Sequence, residues 1–161
     1  MTANERPEEA DRETRKERIN RELTELLTEL RVALPGVQML FAFLLTVPFS
    51  ARFGTLTLLE SRAFYATFAC TTIASIFLIA PSSNHRLAFR AQDKERLLFR
   101  ANRFAIAGIV CLALAIGGAV FLISEMVLGE RWAWGAGSAT FALIFATWYL
   151  IPLLRRRSRD H

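Results

Sequence analysis

The sequence predicts an all-α protein: a four-transmembrane-helix bundle preceded by an amphipathic helix. Three observations predict it. Four stretches free of Asp, Glu, Lys and Arg interrupt the 161-residue chain, at 32–51, 63–84, 104–124 and 132–154. About 20 helical residues at a 1.5 Å rise cross a hydrocarbon core roughly 30 Å thick, and these stretches hold 20, 22, 21 and 23. Hydrophobic residues make up 53% of the chain, which leaves too little polar sequence to cover four buried helices of a soluble domain. Finally, the 20 Lys and Arg residues fall very unevenly between the stretches.

The elements follow in order. Residues 1–12, "MTANERPEEADR", are polar and contain Pro7, the composition of a disordered start. Residues 13–34 read as an amphipathic helix. Ile19, Leu23, Leu26, Leu30, Ala33 and Val37 make a heptad seam that runs on toward the first span. Pairs four apart, such as Arg18 with Glu22 and Arg21 with Glu25, support that helix. Pro35 removes one helical hydrogen bond, and a kinked helix joining the first span is expected rather than a break.

The membrane domain, 35–154, holds spans at about 35–51, 63–82, 104–127 and 132–154. The stretch "AQDKERLLFRANRFAIAG" reads as a helical second loop continuous with the third span. Residues 155–161 form a basic tail. Small residues recur on one face of each later span: Ala66, Cys70 and Ala74; Ala107, Cys111, Ala115 and Gly118; Gly135, Ala139, Ala142 and Ala146. Such stripes let membrane helices approach closely, within one bundle or between two copies in a homo-oligomer.

Orientation comes from the basic residues. Seven lie in residues 1–31, six in 85–103 and four in the tail, against two in 52–62 and one in 125–131. The positive-inside rule then puts both termini in the cytoplasm. The 31 mostly polar residues ahead of the first span do not resemble a cleaved secretory signal. The expected location is a plasma membrane, with lipid as the immediate partner and no nucleic acid. The net charge of +5 is a consequence of topology, and no basic nucleic-acid motif accompanies it.

Chemistry-bearing patterns are missing. There is no phosphate-binding glycine loop, nucleophile elbow or paired acidic motif in a span, so no catalytic residue, no cofactor and no enzyme activity is expected. His85 and His161 stand at no ligand spacing from Cys70 or Cys111, which argues against a metal site. Two polar positions remain. Gln38 is an amide inside the first span, suited to a bond across helices. Glu125 falls near the end of the third, as a solvated interfacial carboxylate. Thr71, Thr72 and Ser75 are expected to bond to carbonyls of their own helix.

The amphipathic helix carries Glu22, Glu25 and Glu29 where a lipid-bound helix would carry Lys and Arg. The second loop is basic, with Arg90, Lys94, Arg96 and Arg100. These seven residues are the candidate docking set, joining the helix to the loop or to a membrane partner protein.

The segments "RELTELLTELRVALPGVQMLFAFLL", "HRLAFRAQDKERLLFRANRFAIAG" and "WYLIPLLRRR" resemble a bacterial family of small four-span integral membrane proteins of unknown function. Some of its members are loosely labelled sodium:proton antiporters. The resemblance runs from about Arg15 to Arg157 and implies the architecture and a bacterial plasma membrane. It transfers no catalytic residue. Two functional classes follow: a non-enzymatic interaction or organising protein, and a small cation:proton transporter or transporter subunit. The spans contain no ionisable residue at mid-depth, the group that proton exchange needs.

Overall fold

A computed structural model of the chain describes residues 5–87 and 94–150, with side chains for 17–83, 96, 98–148 and 150. Its four α-helices are α1, Glu5–Thr46; α2, Leu58–Leu87; α3, Lys94–Leu128; and α4, Glu130–Phe145. Two short 3₁₀ turns, Val47–Phe49 and Phe53–Thr55, link α1 to α2. A π turn, Ala146–Leu150, extends α4. Three segments are long and apolar enough to cross a membrane: Glu17–Phe49, Leu58–Ser83 and Leu98–Leu128. α4 itself has 16 residues, and the last four residues of the expected fourth span lie outside the described residues.

α1 is one helix of 42 residues with Pro35 inside it. It starts at Glu5, eight residues before the amphipathic helix expected from composition. Pro7 falls in the first turn, where its missing donor has no helical partner. Pro35 is exposed, so solvent or lipid headgroups can reach the carbonyl it leaves unpaired. The heptad seam holds α1 to the rest. Leu23, Leu30, Val37 and Leu44, seven residues apart, are all buried.

The core lies along this seam in two clusters. Leu30 and Val37 of α1 pack with Ala74 and Leu78 of α2 and Ala105 of α3. Leu44 packs with Phe64 and Leu122, and Phe41 stacks on Phe68 at 5.4 Å. Pairing 44 with 64 and 37 with 74 makes α1 and α2 antiparallel. Leu78 against Gly108 and Thr67 against Gly118 do the same for α2 and α3. Polar side chains inside α2 are satisfied locally. The hydroxyls of Thr67, Thr71, Thr72 and Ser75 each donate to the carbonyl four residues earlier, at 2.8–2.9 Å.

α4 departs from the compact four-helix arrangement expected. Among the described helices it packs on α3 and touches neither α1 nor α2. Its inward face is Ala133 and Gly137, both buried. Of the expected stripe, Gly135, Ala139 and Ala142 face away and are exposed, and Ala146 is half-buried. The reason is ring packing: Trp134 meets Phe121 edge-on at 5.0 Å and Phe141 sits over Gly117, which fixes the rotation of α4 by its aromatic side chains.

Gly117 and Gly118 make α3 the central helix. A Cβ at 117 would strike Phe141, and one at 118 would strike Thr67. Adjacent helical residues point about 100° apart. One glycine therefore admits α4 and the next admits α2.

Each of the four helices exposes large apolar side chains. Met39 is 77% exposed, Ile76 59%, Leu114 45% and Leu143 65%. Monomeric soluble proteins do not expose contiguous apolar area on this scale.

Candidate functional site

One end of the molecule holds the first half of α1, the end of α2 and the start of α3. Here α1 and α3 diverge and leave a groove of about 640 Å³. Ile19 and Leu26 of the heptad seam form its base, while Leu23 and Leu30 are buried beneath it with Ala101. The next face of α1 forms one wall, with Glu22, Glu25 and Glu29; Leu98, Phe99 and Asn102 of α3 form the other. One wall is anionic and the opposite wall is largely apolar, and Phe99 is 66% exposed.

Two of the glutamates have charge partners on their own helix. Arg18 Nε donates to Glu22 Oε1 at 2.9 Å, and Arg21 Nε stands 3.9 Å from Glu25 Oε1. These pairs are exposed, and such pairs contribute little to stability. Of the basic candidates, Arg96 and Arg100 are exposed on the first turns of α3. Lys94 begins that helix, and Arg90 lies outside the described residues.

The other end holds the 47–57 turn and Gly129. There the sequence candidate Glu125 is half-buried, not fully solvated, and its Oε2 is buried with no hydrogen-bond partner among the described residues. It lies close enough to Glu60 and Glu130 to feel their charge. Glu60 is 7% exposed and is held by a capping box at the start of α2. The Thr57 backbone N–H donates to Glu60 Oε2 at 2.7 Å, and the Glu60 N–H donates to Thr57 Oγ1 at 3.2 Å. Glu60 was not singled out from the sequence. The signal that marks it is Thr57-x-x-Glu60 before an apolar run.

Gln38 points away from the bundle, one residue past buried Val37, and makes no cross-helix bond among the described residues. Cys70 and Cys111 are free thiols. Among the described residues no three His, Cys, Asp or Glu side chains gather as a metal would require.

These features define a helical protein with three membrane-span-like helices, an acidic-walled groove at one end and a carboxylate pair at the other. The chain belongs to a family of unknown function, DUF6328, whose model matches residues 12–152. No curated protein and no solved structure matches it.

Proposed function

We propose that this chain is a four-span integral protein of the bacterial plasma membrane that works by binding a partner and catalyses no reaction. In this reading α4 and its extension to Leu150 supply the fourth span. Both termini and the 640 Å³ groove then face the cytoplasm, by the placement of Lys and Arg. The groove carries the reading. An acidic wall opposite Leu98 and Phe99 complements a basic amphipathic helix, which binds grooves through apolar anchors on one face. The test is a photo-crosslinking residue at position 99 in cells. Crosslinked adducts that disappear in a Glu22→Gln, Glu25→Gln, Glu29→Gln variant support the proposal. Adducts unchanged by that variant refute the role of the acidic wall.

A transport reading draws on the unpartnered Glu125 oxygen beside Glu60. Proteoliposomes with a trapped pH dye and imposed sodium or potassium gradients decide it. Proton flux abolished by Glu125→Gln establishes transport, and flux no greater than that of empty vesicles excludes it.

A further inference from the structure

We propose that the cleft between α2 and α4 binds one anionic phospholipid, its acyl chain in the cleft and its phosphate on Arg62. This rests on the reading of the chain as membrane-spanning. Because α2 and α4 do not touch, a cleft of about 490 Å³ opens between them. Gly117 and Gly118 form its floor, Ala66 and Cys70 one wall, and Trp134 and Phe141 the other. The volume lies within the range of small-ligand sites, roughly 300–1,000 Å³.

The lining says what fits. Its surface is almost wholly apolar. Two hydroxyls line it: Thr67, which already donates to the Ala63 carbonyl at 2.8 Å, and the exposed Ser138 of α4. Neither hydroxyl carries the positive charge that a phosphate needs. Arg62 is the one charged residue lining it. It is exposed and has no ion-pair partner among the described residues.

The cation also sits at the right end. Arg62 lies in the second turn of α2 and Trp134 in the second turn of α4, a level where tryptophan marks a membrane interface. From Arg62 the wall runs eight residues to Cys70, about 12 Å of helix, toward the bilayer centre. A fixed cation at the interface with an apolar trough below it matches a molecule with an anion at one end and a hydrocarbon chain at the other. A second copy of this chain fits less well, because the exposed small residues of α4 lie on a different face.

The experiment uses the full chain, taken from carbonate-washed membranes into a neutral detergent. Protein stripped by the carbonate wash would refute the membrane reading itself. The purified protein is mixed with equal amounts of phosphatidylglycerol and phosphatidylethanolamine of identical acyl chains, and bound lipid is counted by native mass spectrometry. The wild type is expected to retain the anionic lipid roughly fivefold more, the effect of about one basic side chain on an anionic lipid. Arg62→Gln should abolish the preference, while Arg52→Gln, at the same end but outside the cleft, should keep it. Ala66→Phe, which fills the trough, should lower retention of both lipids. Equal retention by the wild type, a preference that survives Arg62→Gln, or a lipid-free dimer overturns the proposal.

Discussion

Glu60 and Glu125 are both carboxylates near the same end of the molecule, yet their surroundings give them opposite effects on stability. Glu60 accepts a backbone hydrogen bond at 2.7 Å and completes a reciprocal cap with Thr57. Thr57→Ala should therefore destabilise the protein by about 0.5–2 kcal/mol, the usual worth of an N-cap, read as a lowered Tm in detergent. Glu125 leaves a buried oxygen unpartnered, and such a group costs about 1–3 kcal/mol. Glu125→Met, apolar and of similar length, should raise the Tm. A lowered Tm would mean that the carboxylate has a partner in the bilayer, such as a bound cation. The short motif that reveals the cap is readable in the sequence. The orphaned oxygen is not, because it depends on how α2 and α3 meet across the far end.

At the scale of elements, α1 is the helix most readable from residues alone. Of the expected seam, Leu23, Leu30 and Val37 are buried along with Leu44, while Ile19, Leu26 and Ala33 are half-buried. A period of seven survives the passage from polar to apolar surroundings because both halves pack on the same α2–α3 face. Leu30→Ala should destabilise by about 2–5 kcal/mol, as large-to-small core changes do. Val32→Ala, at a position 79% exposed, should stay within about 0.5 kcal/mol. Equal losses at the two positions, measured by thermal unfolding, would mean that the seam is out of phase. α4 was less readable. Spacing picks out Gly135, Ala139, Ala142 and Ala146, and the structure turns the first three outward. Small residues define a face that is able to pack; they do not decide whether larger rings elsewhere on the helix claim the neighbour first.

At the scale of the whole molecule, among the described helices α1, α2 and α3 each pack on the other two, and α4 packs on α3 alone. The two central glycines divide that arrangement between them. Gly118→Val should disturb α2 against α3 and cost about 1–3 kcal/mol by overpacking, lowering the Tm of the entire protein. Gly117→Val should push on Phe141 and loosen α4 while leaving the three-helix core intact. Limited proteolysis separates the two outcomes: early cleavage near Gly129 is expected for the 117 variant and general digestion for the 118 variant. Helix count was legible from charge-free length, while the uneven joining of the helices was not. It arises from side-chain contacts between residues far apart in the chain, which no local pattern records.

The one-sided attachment of α4 bears on how the protein is made. Every residue that joins the first three helices to one another precedes Glu130 in the chain. The final hairpin, turning at Gly129 with its φ of 89°, is then added to a finished unit. The chain up to Leu128 therefore carries the whole three-helix core, and a chain stopped there should still accumulate as a stable product.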